Sequence, residues 1–257
     1  MFGYEKHVVD SLKVLKETHG LLGIKAEFEA EGSSFNDLVR LRRMTSAAGV
    51  ELHLKIGGVE ALRDIRDSVE IGVDGLIAPM VESRFGLYKF LEAYGTVYGS
   101  HRVHLAINIE TRNSIEELDD ILDLAEGNID SVTLGRTDLS ASYFDPDVTP
   151  DSLFIMELVL DVGKRAKKHG LRLTVGGSVS SRTVSAFRAN PEAASLVSAI
   201  ETRKVILPRE SLLDHPDALP LALKFEEYSI RSKKEINDLM IAPELARLEK
   251  LSGRVGN

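Results

Sequence analysis

The chain has 257 residues, 43% of them hydrophobic, which is enough to bury the core of one α/β barrel or of two small domains. A net charge of −8 with acids and bases mixed along the chain argues against a nucleic-acid surface, and the absence of cysteine excludes disulfides and thiolate metal sites. No apolar run reaches about 18 residues and no signal-like stretch starts the chain, so we expect no membrane span and a cytoplasmic protein.

A unit of amphipathic helix, glycine and short apolar strand recurs along the chain. Its four clearest copies have the glycine at Gly20, Gly49, Gly72 and Gly170, before strands predicted at 21–28, 50–56, 73–78 and 171–175. Glycine suits this position because the residue after a helix often adopts a left-handed conformation. Further strands are predicted at 104–109, 130–134 and 196–206, and the last of these can be split in two.

Seven or eight strands that alternate with helices favour a closed (β/α)₈ TIM barrel over an open sheet. Such alternation implies parallel strands joined by right-handed crossovers. We therefore expect one domain over residues 1–257, in which residues 218–257 form a C-terminal helical extension with a break near Pro243. The extension either caps the barrel or packs on a neighbouring subunit.

The first predicted strand carries an unusual number of charges. Lys25, Glu27, Glu29 and Glu31 occupy alternate positions, so an extended strand would direct all four toward one face. If that face is the barrel interior, the charges need counter-ions, a metal or a ligand, because burying them unpaired would be very costly. The alternative is an exposed edge strand with a charged outer face.

Two carboxylates end successive strands near the middle of the chain. Parallel barrel strands are normally apolar, and barrel enzymes keep their sites at the C-terminal strand ends. Glu110 follows the strand at 104–109 and Asp138 follows the next strand, so they are neighbours if sequential strands pair. Two carboxylates on adjacent loops suit Mg²⁺ or Mn²⁺. Salt bridges with Arg112 or Arg136 explain the two carboxylates equally well.

Other strand ends are also polar. Lys55 ends the second strand, either as a functional cation or as a counter-charge for a first-strand glutamate. The segment Gly176, Gly177 and Ser178 runs into a helix, where exposed backbone amides can bind an anion. Glu201 and Arg203 lie where apolar residues are expected, so they serve either in catalysis or in pairing with the first-strand charges as the barrel closes.

Residues 71–140 resemble the HpcH/HpaI aldolase and citrate lyase β-subunit family of pyruvate- and phosphoenolpyruvate-binding barrels. Three segments carry the resemblance: GVDGLIAPMVES at 72–83, NIET at 108–111 and GRTDLS at 135–140. They are similar to that family's third-strand segment, its metal glutamate and its metal aspartate, in the same order and with the same spacing.

The resemblance implies a metal-dependent C–C lyase or aldolase that holds Mg²⁺ or Mn²⁺ on Glu110 and Asp138. A 2-keto acid, with pyruvate or phosphoenolpyruvate as the enolate partner, would chelate the metal, and the backbone amides of Thr137 and Asp138 would hold its carboxylate. Lys55 lies within one residue of the family's arginine near the keto oxygen. A wall of Lys25, Lys55, Arg136 and Arg203 would suit an anionic or aldehyde acceptor, and a homo-oligomer is expected.

The sequence also departs from the family's pattern. The histidine that follows the family's first-strand glutamate is missing, because Gly32 follows Glu31, and Arg136 replaces the usual proline of the aspartate segment. We therefore expect Glu29 or Glu31 to carry the proton, with Lys25 as a further candidate.

Three alternatives stay open at this point. A citrate-lyase-like enzyme acting on a CoA thioester would share Glu110 and Asp138. A non-catalytic barrel that serves as an assembly module would need neither carboxylate. A Schiff-base aldolase would use a buried lysine of lowered pKa, such as Lys25 or Lys55.

Overall fold

The computed structural model describes residues 2–255, which form a closed eight-stranded barrel surrounded by helices. The strands in these residues are β1 (Gly23–Glu27), β2 (Leu52–Lys55), β3 (Gly75–Ala78), β4 (His104–Ile109), β5 (Ser131–Gly135), β6 (Arg172–Gly176), β7 (Val197–Glu201) and β8 (Val205–Pro208). The helices in the same residues are α1 (Gly3–His19), α2 (Phe35–Ala48), α3 (Leu62–Ile71), α4 (Arg84–Tyr98), α5 (Arg112–Glu116), α6 (Leu118–Ala125), α7 (Arg136–Ala141), α8 (Leu153–Lys168), α9 (Ser181–Ala189), α10 (Pro191–Leu196), α11 (Arg209–Asp214) and α12 (Ala218–Val255). The predicted α/β barrel is confirmed.

The strands separate an apolar outer layer from a polar interior. In β1, Ile24 and Ala26 are fully buried in the hydrophobic core, whereas Lys25 and Glu27 line a cavity inside the barrel. Because strand side chains alternate between two faces, the same division recurs around the barrel. The main hydrophobic core therefore lies between the strands and the helices, and the interior combines ionisable side chains with threonines and a few apolar side chains such as Ile77 and Ala106.

One strand differs from the parallel arrangement that the sequence predicts. Strands β1 to β7 pair in parallel and in chain order, but β8 is antiparallel to both β7 and β1. Only three residues, Thr202 to Lys204, separate β7 from β8. A parallel crossover needs a dozen residues or more, so this connection can only be a hairpin. The hairpin turn consequently lies at the C-terminal end of the barrel, where it adds Arg203 and Lys204 to the rim.

The C-terminal extension is one long helix, α12, that packs against α1. Ala218, Ala222 and Phe225 are fully buried along its first part, and the N–H of Tyr4 donates to Glu235 at 3.0 Å. The helix continues through Pro243, where a break is predicted, and its side chains from 237 to 254 are exposed. Among the helices of residues 2–255, none combines the length and the apolar character needed to cross a bilayer.

A cavity of about 670 Å³ opens at the N-terminal end of the barrel. Its polar wall includes His53 and His104, whose ring centroids lie 5.1 Å apart, and it reaches inward to Glu201. It is larger than the cavity at the opposite end. Barrel enzymes nevertheless carry their chemistry at the C-terminal strand ends, so we assign this N-terminal cavity no catalytic role.

The environment of His104 makes stability depend on pH. Burial, together with the electrostatic effect of the neighbouring His53, lowers the pKa of His104 to about 4. The unfolded chain accepts the same proton near pH 6.5, so the free energy of unfolding should fall by up to about 3 kcal/mol as pH drops from about 6.5 to 4. A His104→Gln variant, whose amide can still bond Ser131, should lose this part of the dependence. Urea unfolding of both proteins across that range measures it, and equal pH slopes would contradict it.

Candidate functional site

A cavity of about 470 Å³ lies at the C-terminal end of the barrel. It is built by the ends of several strands, by the loops that follow them and by one side of α12. Its wall includes Lys25, Glu27, Lys55, Asn108, Glu110, Gly135, Thr137, Asp138, Gly177, Ser178, Glu201, Arg203, Leu223 and Glu226. This wall brings together most of the side chains that the sequence predicts for the site.

Glu110, directly after β4, is held firmly in the wall of this cavity. It is only 3% exposed, its Oε1 accepts from the N–H of Met80 at 2.9 Å, and its Oε2 accepts from Asn108 Nδ2 at 3.0 Å. Met80 has a φ of 52°, a left-handed conformation that is uncommon for any residue but glycine. Burial raises the pKa of Glu110, and the nearby charge of Asp138 adds to this effect.

Asp138 lies in the first turn of α7, beside Glu110. Its negative charge acts on both Glu110 and Lys55, which indicates that all three groups share one electrostatic environment. Arg112 pairs with Glu116 at 2.7 Å and Arg136 pairs with Asp151 at 2.7 Å. The interpretation of Glu110 and Asp138 as partners of these two arginines is therefore wrong.

Gly135, the last residue of β5, packs directly against Glu110. A Cβ atom at this position would lie 2.5 Å from Glu110 Oε2 and 2.9 Å from its Cβ. Both distances are far below contact distance, so no larger residue fits unless Glu110 moves. The glycine of the GRTDLS segment thus makes room for the carboxylate of the NIET segment.

Arg136 is the clearest departure from the predicted site. Its side chain is fully buried and points away from the cavity, donating to the backbone oxygens of Pro150, Gly176 and Gly177 and to Asp151. Asp151 precedes α8, and no local sequence pattern indicates that it pairs with Arg136. The predicted substrate contact is wrong, because these acceptors hold the guanidinium behind the β5 and β6 loops.

The other cations of the predicted basic wall are paired with carboxylates. Lys55 Nζ lies 2.8 Å from Glu27, Lys25 Nζ lies 2.5 Å from Glu201, and Arg203 lies 3.5 Å from Glu27. This agrees with the reading of Lys55, Glu201 and Arg203 as counter-charges for the first strand. Three cations and five carboxylates line the cavity, which leaves two negative charges that one divalent cation would balance.

Glu29 and Glu31 do not reach this cavity. Strand β1 ends at Glu27, so the alternation that would direct both inward stops there. Glu29 is exposed beside Gly57, and Glu31 forms an ion pair with Lys204 outside the cavity wall. The prediction that either one carries a proton at the site is wrong. Glu27 lies in the cavity instead, although the sequence analysis named it only as part of the charged face.

The turn after β6 closes another side of the site. Gly177 has a φ of 85°, and a Cβ there would lie 2.5 Å from the backbone N of Thr137. Ser178 Oγ lies 2.9 Å from Thr137 Oγ1, so the turn contacts the segment that carries Asp138. Gly176 does not line the cavity, because it packs against the side chain of Glu201. Glu201, which the sequence leaves as either a catalytic group or a counter-charge, also lies in the wall, and Asn108 is a wall residue that the predicted set lacks.

A closed barrel with a carboxylate-rich cavity at its C-terminal strand ends is typical of barrel enzymes. The family model for HpcH/HpaI aldolase/citrate lyase matches residues 36–175, which is more than half of the chain and includes both Glu110 and Asp138. The chain therefore belongs to the HpcH/HpaI aldolase/citrate lyase family, an enzyme family of the lyase type. No curated protein matches the chain.

Solved structures of similar fold support the barrel over nearly its whole length. An HpcH/HpaI aldolase from Desulfitobacterium hafniense DCB-2 has a TM-score of 0.60 at 16% identity, covering 92% of this chain and 90% of its own. A variant of the citrate synthase SbnG has a TM-score of 0.58 at 18% identity, covering 85% and 90%. An HpcH/HpaI aldolase/citrate lyase family protein from Burkholderia cenocepacia J2315 has a TM-score of 0.58 at 14% identity, covering 83% and 89%. At these identities the likeness concerns the fold alone.

Proposed function

We propose that the protein is a divalent-metal-dependent C–C lyase or aldolase that acts on a 2-keto acid, with pyruvate or phosphoenolpyruvate as the enolate partner. One observation carries the proposal: Glu110 and Asp138 line one cavity, and neither is paired with an arginine. The acceptor would be an anion or an aldehyde small enough for the cavity.

The residues present fit Mg²⁺ or Mn²⁺. Both ions prefer oxygen ligands, and the cavity offers two carboxylates with an excess of negative charge. Asn108 Oδ1 is buried and has no hydrogen-bond partner, so a further oxygen of the wall is left unsatisfied. When bound, the cation would supply a Lewis acid for the keto oxygen of the substrate.

The chain's own residues would bind and orient the substrate around this centre. The backbone N–H groups of Thr137 and Asp138 lie in the first turn of α7, where a helix leaves its N–H groups without intrahelical partners, and they would hold a carboxylate as the family resemblance implies. Ser178, close to Thr137, would limit the space on that side. Glu27 replaces Glu29 and Glu31 as the proposed proton carrier, because it lies in the cavity and contacts Lys55.

Deuterium exchange tests the proposal directly. With Mg²⁺ or Mn²⁺, the protein should catalyse exchange of the pyruvate methyl protons in D₂O, measured by NMR, and EDTA should stop it. Absence of metal-promoted exchange and of metal-promoted pyruvate binding in calorimetry would overturn the proposal. Competition by free CoA would instead favour the citrate-lyase-like alternative.

Lys55 should act as a fixed cation and not as a Schiff-base nucleophile. Burial opposes its charge, but the hydrogen bond to Glu27 and the charges of Glu27, Glu110 and Asp138 outweigh burial and raise the pKa of Lys55. We expect Lys55→Met to slow pyruvate exchange about 10²-fold, the usual cost of losing one group that stabilises developing charge, and Lys55→Arg to slow it less. Borohydride with pyruvate should leave Lys55 unmodified, and a pyruvyl adduct on Lys55 in the mass spectrum would contradict this prediction.

We also propose that the protein is a cytoplasmic homo-oligomer. The exposed part of α12 carries Ile241, Leu245 and Leu248 at spacings of about one helical turn, which gives an apolar stripe suited to a second copy. Light scattering on a sizing column should give more than one chain mass, and Leu245→Glu with Leu248→Glu should lower it. A Glu244→Gln control should not, and a wild-type monomer would refute the proposal.

A further inference from the structure

Three side chains capable of binding a metal meet at the N-terminal end of the barrel, opposite the cavity described above. His19 is the last residue of α1, whereas His215 and Asp217 lie in the short connection between α11 and α12. One ligand atom from each residue lies within 4.8 Å of the others. Within residues 2–255, no other set of three or more His, Asp or Glu side chains is grouped this closely.

His19 is the unexplained member of this cluster. Its side chain is only 2% exposed, yet neither ring nitrogen has a hydrogen-bond partner, and Nε2 lies 3.4 Å from the Asp217 carboxylate. An unpartnered buried polar group costs free energy, so native proteins normally satisfy it. The backbone around it is well fixed, because Ser211 Oγ donates to the carbonyl of His19 at 2.6 Å.

His215 and Asp217 provide two further metal-ligand side chains next to His19. The rings of His19 and His215 meet edge to face at 5.5 Å between centroids, and both His215 and Asp217 are exposed. Zinc binds imidazole nitrogen and carboxylate oxygen at about 2.0–2.2 Å, which places ligand atoms of one tetrahedral ion roughly 3.4 Å apart. Exposed side chains on a surface turn can close from 4.8 Å to that separation by changing rotamer.

We propose that His19, His215 and Asp217 form a binding site for a borderline divalent cation of the Zn²⁺ class, with water as the fourth ligand. Two imidazoles and one carboxylate favour this class over Mg²⁺, which prefers oxygen ligands only. The site links the end of α1 to the start of α12, two helices that already pack on each other. Its role is therefore structural, and it is independent of the function proposed for the opposite end of the barrel.

The experiment uses the metal-stripped full-length protein with Zn²⁺ and, as a spectroscopic probe, Co²⁺. In the variant carrying Glu110→Gln and Asp138→Asn, which lacks the proposed catalytic ligands, saturating Zn²⁺ should raise the melting temperature by about 5 °C, which Mg²⁺ should not do, and Co²⁺ should give a visible absorption band. His215→Ala and Asp217→Asn should each weaken Zn²⁺ binding at least tenfold. These residues are exposed, so both variants should fold.

Two controls separate this site from the rest of the molecule. His101→Ala removes another exposed histidine, and a variant carrying Glu110→Gln and Asp138→Asn disables the proposed catalytic centre. Both should keep the wild-type Zn²⁺ affinity and the Co²⁺ band. Equal Zn²⁺ affinity in wild type and His215→Ala, or loss of binding in the Glu110→Gln and Asp138→Asn variant, would overturn the proposal.

Discussion

Replacing Glu110 by glutamine is expected to reduce metal-dependent pyruvate exchange by at least about 10³-fold. The change removes one of the two carboxylates that would hold the cation, and a metal that acts as a Lewis acid contributes several kcal/mol to the barrier. The glutamine is nearly the same size, and its carbonyl can still accept from the N–H of Met80. The fold should therefore survive the substitution.

Two measurements make the Glu110 result specific. Mn²⁺ binding, followed by electron paramagnetic resonance, should weaken together with the exchange rate, whereas the melting temperature of the metal-free protein should fall little or rise. It can rise because the site is buried and Glu110 is costly to ionise there. Glu116→Gln, on the exposed side of α5, should behave as wild type. Full exchange activity in Glu110→Gln would refute the assignment of this residue as a ligand.

Replacing Gly135 by alanine should displace Glu110 and thereby weaken metal binding at the same site. The new methyl group would lie 2.5 Å from Glu110 Oε2 and 2.9 Å from Glu110 Cβ. The Cβ of Glu110 can move away only if the backbone after β4 moves with it. We expect a loss of about 1–3 kcal/mol in stability from overpacking. Mn²⁺ affinity should fall by roughly 10- to 100-fold, as when a group that orients a metal ligand is lost.

A second glycine supplies the matched control for this prediction. Gly95 lies inside α4, and a Cβ there would meet nothing within 4 Å. Gly95→Ala should stabilise the protein by about 0.5–1 kcal/mol and leave Mn²⁺ affinity unchanged. Urea unfolding and Mn²⁺ titration of the two variants separate the general effect of an added methyl from its effect on Glu110. Equal Mn²⁺ affinity in Gly135→Ala and wild type would show that the contact does not matter.

The barrel and the two carboxylates could be predicted because their signals are local. Helix, glycine and strand recur within a few residues, and Glu110 and Asp138 each follow an apolar strand directly. The hairpin after β7 also had a local signal, because three residues cannot form a crossover. The charged residues 201–204 interrupt the apolar pattern of 196–206, so the sequence leaves open whether this segment is one strand or two.

The remaining errors have two causes: the end of a strand that the charge pattern hides, and a contact between distant parts of the chain. The charge alternation continues past Glu27 and therefore predicts that Glu29 and Glu31 face inward. Strand β1 ends at Glu27, so the alternation of side chains between two faces does not extend to these two residues. Arg136 is predicted in the cavity as one cation of a basic wall for an anionic acceptor. Its true partner, Asp151, lies beyond a loop, and only the packed structure brings the two together.

The antiparallel β8 also gives the barrel a seam. Near the N-terminal ends of the parallel strands, β8 joins β1 through a register of two residue pairs, Gly23 with Ile206 and Ile24 with Val205, between segments some 180 residues apart. Contacts that close so long a stretch of chain form late in folding and are the first to open in local fluctuations. Amide hydrogens along this junction should exchange with solvent sooner than those between β4 and β5. The packing of α12 on α1 would then hold the two ends of the chain together and stabilise the closed barrel.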